Sequence, residues 1–146
     1  REIIPILLVS LDARNYGARA WVVKGIAALR DPRGLDLLEH ALQADIAPSV
    51  RRSATRGLAD LELSEDAAHD QLERCFEGLL RAVRDDEWVV RYAAAYGLEQ
   101  RLNSTAVSAP LAEQGRGALN QLASDAEGVR VVQLRALKAL QRLNAG

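Results

Sequence analysis

The chain has 146 residues, which suits one domain with a sizeable core, and its formal net charge is −1. Ala (25 residues) and Leu (23 residues) supply a third of the sequence, so the composition predicts an all-α fold. The near-zero charge argues against a nucleic-acid binder. The single cysteine excludes an internal disulfide framework and a cysteine-cluster metal site. The longest apolar run, Ile3 to Val9, is too short for a membrane span.

The predicted elements begin with a short helix from Ile3 to Leu11. Four later segments align with one another without gaps and predict the first helix of each repeat: ARAWVVKGIAAL from Ala18, VRRSATRGLADL from Val50, VRYAAAYGLEQR from Val90 and VRVVQLRALKAL from Val129. Second helices are predicted between them, at 33–44, about 71–84 and about 110–124. The turn DPRG at 31–34 supplies an Asp cap and a Pro at the first helical position. The stretches 62–70 and 103–110 are predicted to be surface loops.

The aligned segments share a pattern that fixes the architecture. Each has an Arg after Val or Ala, a Gly or Ala six residues later, and apolar or small residues spaced as on one stripe of a helix. Gly57 and Gly97 lie within this stripe, where we expect another helix to approach closely. The pattern predicts an α-α superhelix, a HEAT-like repeat solenoid of about 3.5 helical hairpins in a single domain, with units at about 15–45, 46–86, 87–126 and 127–146.

The four segments, together with NYGARAW at 15–21 and EWVVRYAAAYGL at 87–98, resemble the HEAT-like repeats of the cyanobacterial phycobilin lyases. The resemblance spans roughly residues 12–143 and is closest to the smaller, F-type subunit of the two-subunit lyase for the phycocyanin α chain. It implies a cytoplasmic protein that binds an open-chain tetrapyrrole, such as phycocyanobilin, as its substrate. It implies thioether attachment of this bilin to a cysteine of an apo-phycobiliprotein, with a larger lyase subunit as partner and no metal or other cofactor. The alternative is a HEAT-like adaptor that binds phycobiliproteins or other proteins without catalysis.

Conventional catalytic motifs are absent from the sequence: we find no Ser/His/Asp arrangement, phosphate-cradling glycine loop or metal-ligand spacing. This fits the implied chemistry, because the attacking thiol belongs to the substrate protein and the lyase supplies position and conformation. The sequence also has no His-Cys-Cys run of the kind found in members of the family that isomerise the chromophore, which favours attachment alone.

The helix that begins near Trp88 carries the first group of predicted site residues. If its Val, Ala, Gly and Leu stripe faces the core, then the residues that point away from it are Arg91, Tyr92, Ala95, Tyr96 and Glu99. The two Tyr rings would then form one exposed aromatic platform, because they are four residues apart. Such a platform more often marks a protein interface than a pigment pocket, and the expected lyase partner would use it in either case.

Arginines provide the second group. Arg51, Arg52 and Arg56 are predicted to share a face where they could bind the two bilin propionates, although an ordinary solvated face paired with Asp60 and Glu62 is the alternative. With the exposed turn residue Tyr16, the predicted bilin contacts are Tyr16, Arg52, Arg56, Trp88, Tyr92 and Tyr96. Trp21 and Cys75 are predicted to lie in the core.

One arginine recurs in every repeat, at positions 19, 51, 91 and 130. A residue that recurs with the repeat is more typical of a structural ladder than of a catalytic site. We therefore predict that these arginines bond Asp residues in neighbouring loops.

Overall fold

The computed structural model describes residues 16–64, 69–104 and 107–145. These residues form seven α-helices and no strand: α1 Tyr16–Leu29, α2 Leu35–Ala44, α3 Pro48–Asp60, α4 His69–Ala82, α5 Trp88–Ser104, α6 Ala109–Ala123 and α7 Arg130–Ala145. A short 3-10 turn, Pro32–Gly34, leads into α2. The all-α prediction is confirmed, whereas the helix predicted from Ile3 to Leu11 lies outside the described residues. None of these helices is both long enough and apolar enough to cross a bilayer.

The helices form two layers. Helices α1, α3, α5 and α7, which carry the aligned repeat segments, pack side by side, while α2, α4 and α6 form the second layer against them. Each hairpin therefore packs on the next one along the chain, as in the predicted HEAT-like solenoid. The proposed unit boundaries remain a prediction.

The core runs continuously between the layers. Its fully buried residues include Val50 and Leu58 of α3 and Phe76 and Leu79 of α4. Cys75 is also fully buried and is not in a disulfide, which confirms its predicted place in the core.

The mid-stripe glycines allow the first-layer helices to approach closely. A Cβ atom added at Gly57 would lie 3.0 Å from the Cβ of Ala27 on α1, and one at Gly97 would lie 3.0 Å from the Cβ of Ala59 on α3. Both distances are too short for ordinary packing, so the predicted close approach is confirmed.

The turn before α2 has the predicted capping geometry, since the Asp31 carboxylate accepts a hydrogen bond of 2.9 Å from the backbone N–H of Arg33. The two predicted loops were too long. Helix α4 already begins at His69, and the negative charge of Asp70 in its first turn stabilises the positive N-terminal end of the helix dipole. Helix α5 continues to Ser104, and α6 begins at Ala109.

The prediction that Trp21 lies in the core is wrong, because its side chain is 64% exposed. The equivalent residues Ala93 and Val132 are buried. Helices α5 and α7 each have a preceding helix of the first layer beside them, whereas α1 is the first of the described helices. The aligned stripe therefore has a different environment on the first described helix.

Candidate functional site

The recurring arginines form a ladder that joins successive interhelical turns. In each rung the guanidinium Nε of a first-layer helix donates to a carboxylate in the next turn along the array: Arg19 to Asp45 at 2.9 Å, Arg51 to Asp85 at 2.9 Å and Arg91 to Glu127 at 2.8 Å. The predicted structural ladder is confirmed for these three arginines, and its third carboxylate is a Glu. Arg130 is exposed, and among the described residues its side chain bonds only Gln133 of its own helix.

The rung carboxylates also hold their own turns. Asp45 accepts a hydrogen bond from the backbone N–H of Ala47 at 2.9 Å, and Glu127 accepts one from Val129 at 3.0 Å. The bond from Arg91 lowers the pKa of Glu127 despite the opposing effect of burial. Burial raises the pKa of Asp45, but its hydrogen bonds and neighbouring arginines outweigh this effect and lower it. Both carboxylates are therefore held in their charged form and already satisfied, which suits a structural function.

A second polar cluster crosses the first layer and contains two of the predicted site residues. The guanidinium carbon of Arg56 lies 3.8 Å from the centroid of the Tyr96 ring, and that of Arg135 lies 5.9 Å from the same centroid. The Tyr96 hydroxyl donates to Asp60 at 2.8 Å. Burial raises the pKa of Tyr96, and the bond to Asp60 raises it further. We call Arg56, Tyr96 and Arg135 the arginine–tyrosine row.

Glu99 contacts one member of this row, Arg135, and is almost fully buried. Its carboxylate is 2.8 Å from Arg135 and 3.6 Å from Arg142. The Nε atom of Arg56 and one terminal nitrogen of Arg135 are buried without a hydrogen-bond partner in the described part of the chain. These two guanidinium nitrogens are therefore buried donors that the described part of the chain leaves unsatisfied.

The predicted outward platform on α5 is wrong. Ala95 and Glu99 are buried, and Tyr92 and Tyr96 are only partly exposed and pack against the core. The reason is that α5 has neighbours on several sides: α3 and α7 flank it in its own layer, and α4 and α6 cover it from the second layer.

The other predicted site residues lie at the surface. Tyr16 and Trp88 are exposed, and the Tyr16 hydroxyl is hydrogen-bonded to the Ser49 hydroxyl at 2.5 Å. Arg52 is exposed and has no carboxylate partner in the described ranges. The structure brings Arg56 into contact with Tyr96 and records no contact that joins Tyr16, Arg52 or Trp88 to that pair.

The alternative pairing of the arginines is not observed. Arg51 binds Asp85, and Glu62 lies 4.0 Å from Arg30. Asp60 binds Tyr96 through its side chain and Arg30 through its backbone carbonyl.

Glu99, Arg135 and Arg142 are members of the cluster that sequence reasoning missed. A signal was available in the repeat alignment, because Arg56, Tyr96 and Arg135 occupy the same position of successive segments. Equivalent positions on adjacent parallel helices lie side by side, so the alignment itself predicts a row across the layer.

The second layer contains an open groove of about 1030 Å³ between α2, α4 and α6. Leu42, Leu80 and Val83 are among its apolar lining, and Arg81 and Arg84 are exposed beside them. Among the described residues no group of three or more His, Cys, Asp or Glu side chains is arranged to hold a metal ion.

Comparison with known proteins identifies the repeat. Residues 18–44 match the family described as PBS lyase HEAT-like repeat. Over 145 residues the chain is 55% identical to the bilin biosynthesis protein RpcF of a Synechococcus species, an alignment that covers 97% of this chain and 67% of that protein. The chain belongs to the phycobilin lyase family.

Two further similarities agree with the F-type resemblance of this lyase chain. It is 40% identical over 139 residues to a phycocyanobilin lyase subunit beta of Nostoc, with 93% of this chain and 67% of that protein aligned. It also matches a chain in the structure of the complex of CpcE and CpcF of phycocyanin lyase from Nostoc, with a TM-score of 0.78 and 38% identity over 93% of this chain and 79% of that one. The lyase chain thus spans about two thirds of the length of the two relatives named here.

Proposed function

We propose that this chain is the smaller, F-type subunit of a heterodimeric phycobilin lyase. The pair binds an open-chain tetrapyrrole, such as phycocyanobilin, and promotes its thioether attachment to a cysteine of a phycobiliprotein α subunit. The observation that carries the proposal is the 55% identity to a bilin biosynthesis protein over nearly the whole chain. The similarity to a chain of a solved two-subunit lyase complex supports the heterodimer.

The chemistry suits a protein that acts by binding. The thiol of the acceptor protein adds across the ethylidene double bond of ring A, so a C–S bond forms and the thiol proton passes to the pigment, with no leaving group and no oxidant. The lyase then has to hold the pigment in one conformation with one face towards the thiol. Ordered guanidinium and aromatic groups can do this without a nucleophile of their own.

The arginine–tyrosine row, together with Arg52, is the part of this chain that we propose binds the propionates. Arg56 retains a buried, unpaired Nε donor, and Arg52 is exposed one helical turn before it on α3. Arg–carboxylate pairs are strong because the guanidinium presents two parallel donors. The Arg56 guanidinium already stacks on the Tyr96 ring in a cation–π contact, so we propose that Tyr96 orients that guanidinium.

Tyr16, Trp88 and Tyr92 remain predicted pigment contacts. Tyr16 and Trp88 expose ring surface that a flat tetrapyrrole or the paired subunit could cover. We also propose a cytoplasmic location, which is consistent with the relatives' lyase names and with a single, unpaired cysteine.

The test is reconstitution. The chain is co-expressed with its larger lyase subunit, a bilin-producing pathway and the apo-phycocyanin α subunit, and the denatured product is examined for zinc-induced fluorescence. We expect zinc-induced fluorescence from bilin covalently bound to the α subunit, and we expect this signal to be lost when this chain is omitted. Binding of this chain to the α subunit without any covalent colour would instead indicate the adaptor function.

A further inference from the structure

The accessible side of helix α5 is the feature from which we draw a further inference. Trp88, Tyr92 and Tyr96 follow one another at intervals of four residues, so their side chains lie along one side of the helix. Trp88 is 43% exposed and the two tyrosines are partly exposed, whereas Ala93 and Ala95 between them are buried. We call Trp88, Tyr92 and Tyr96 the aromatic stripe.

The charges beside the aromatic stripe differ between its two ends. Asp86 and Glu87, in the turn just before the stripe, both have exposed carboxylates. At the other end, the guanidinium carbons of Arg56 and Arg135 lie 3.8 Å and 5.9 Å from the centroid of the Tyr96 ring. The stripe therefore begins beside negative charge and ends beside positive charge.

The carboxylates at the positive end are already engaged. Asp60 accepts the hydrogen bond from the Tyr96 hydroxyl, and the buried carboxylate of Glu99 lies 2.8 Å from Arg135 and 3.6 Å from Arg142. Arginines outnumber carboxylates in this cluster, so this end of the stripe keeps a net positive charge.

Arg52 adds an accessible cation beside the middle of the stripe. In the repeat alignment Arg52 on α3 occupies the position of Tyr92 on α5, and Arg56 occupies that of Tyr96. The contact between Arg56 and Tyr96 shows that equivalent positions of these two helices lie side by side. Arg52 is exposed and has no carboxylate partner in the described ranges, so its guanidinium can bind an external anion.

The dimensions of the stripe suit an elongated, flat ligand. From Trp88 to Tyr96 the helix rises by about 12 Å, at about 1.5 Å per residue. The arginines of α3 lie one helix away, which is about 8–10 Å between axes. A small carboxylate could not reach Trp88 and the arginines at once. An open-chain tetrapyrrole could, because its propionates are on the two middle rings and its outer rings extend away from them.

We propose that the bilin binds along α5 in one direction, with its propionates at Arg52 and Arg56 and an outer pyrrole ring stacked on Trp88. The inference rests on the proposed function, in which this face binds the pigment. The opposite direction would bring the propionates beside Asp86 and Glu87, where like charges repel. Trp88 is then the aromatic contact that holds the end of the pigment remote from the carboxylates.

The experiment compares two probes that differ only in their carboxylates. They are phycocyanobilin and its dimethyl ester, in which both propionates are neutral. Binding of each probe to the pair of this chain and the larger lyase subunit is followed through the visible absorbance of the pigment, without acceptor protein. The dissociation constants then separate contacts with the propionates from contacts with the rings.

Each proposed contact has a variant and a matched control. Trp88→Ala removes the stacking ring, and its control is Trp21→Ala, at the other tryptophan of the chain, which is 64% exposed on α1. Arg52→Gln removes the accessible cation, and its control is Arg81→Gln, at an exposed position on α4. Trp88→Phe is a conservative variant that keeps an aromatic face.

We expect Trp88→Ala to weaken the binding of both probes roughly tenfold, because stacking does not depend on the carboxylates. Arg52→Gln should weaken the binding of the free acid roughly tenfold and that of the ester less than about twofold, because the ester offers the guanidinium no anionic oxygen. Trp88→Phe should bind both probes within about threefold of the natural chain. The two controls should bind both probes as the natural chain does.

Three results would overturn the inference. The first is a loss in Trp88→Ala that Trp88→Phe does not restore or that Trp21→Ala reproduces. The second is an equal loss of free acid and ester in Arg52→Gln. The third is unchanged binding in both variants while the pair still transfers pigment, which would leave the proposed function intact and place the pigment elsewhere. If the natural pair bound neither probe and formed no coloured product, the proposed function would fail as well.

Discussion

At the scale of single residues, the rung carboxylates explain how the turns are tied together. Glu127 is almost fully buried, receives two bonds from Arg91 and holds the backbone of its own turn. We predict that Glu127→Gln lowers the free energy of unfolding at pH 7 by about 1–3 kcal/mol, because the partly buried guanidinium of Arg91 loses its charged partner. Chemical denaturation measures this difference.

The difference should depend on pH. The folded-state pKa of Glu127 is lowered, so its contribution is fully present above the unfolded value of about 4.3 and is lost as the pH falls through the folded value. Wild type and Glu127→Gln should therefore become more alike in stability between pH 5 and about pH 3. Glu113→Gln, at an exposed site on α6, is the matched control and should change little at either pH. A difference that persists undiminished at low pH would contradict the ion-pair explanation.

Arg56 is the residue at which we expect the largest effect on pigment transfer. We predict that Arg56→Gln lowers the yield of covalent colour at least tenfold at limiting bilin concentration, because the glutamine side chain cannot form a charged, two-donor bond with a propionate. Excess bilin should restore part of the yield. Arg116→Gln is the control, since Arg116 lies away from the row and bonds Asn144. Equal losses in both variants would point to reduced folding and argue against pigment binding by Arg56.

The sequence predicted the recurring arginines well and the aromatic residues poorly. The Arg ladder repeats with the array, so a single alignment specifies the position of its arginines. The alignment did not specify every partner, because Arg91 binds a Glu where an Asp was predicted. The direction of Tyr96 depends on how many sides of α5 are covered. The apolar stripe of α5 predicts only that the side facing the second layer is buried. Whether its other sides are buried depends on contacts with α3 and α7.

At the scale of elements, the mid-helix glycines set the spacing of the first layer. A methyl group at Gly97 would lie 2.5 Å from Leu79 and 3.0 Å from Ala59, so the helices would have to move apart. We predict that Gly97→Ala destabilises the protein by about 1–3 kcal/mol, even though Ala favours helix by about 1 kcal/mol. Thermal or chemical unfolding measures the change.

Gly117 provides the matched control within α6. It is exposed, and an added Cβ atom would meet nothing within 4 Å. Gly117→Ala should therefore stabilise the protein by about 1 kcal/mol through helix propensity alone. If the two substitutions changed stability in the same direction, close packing at Gly97 would not be the reason for its glycine.

Helix existence was predictable from the periodic stripes, whereas helix ends were not. Asn103 and Ser104 read as loop residues, yet they complete the last turn of α5. Polar residues of this kind are compatible with a helix end as well as with a loop, so the packing of the preceding turns decides where the helix stops.

At the scale of the whole molecule, the described helices differ in how many neighbours they have. Helix α5 packs against α3, α4, α6 and α7, whereas α7 packs mainly against α5 and α6. In a repeat array stability comes largely from interfaces between neighbours, so among the described helices α7 should open more readily than α5. We predict that the backbone amides of α7 exchange with deuterium at least tenfold faster than those of α5 in the free chain. Uniform protection of both helices in the free chain would mean that the array opens only as a single cooperative unit.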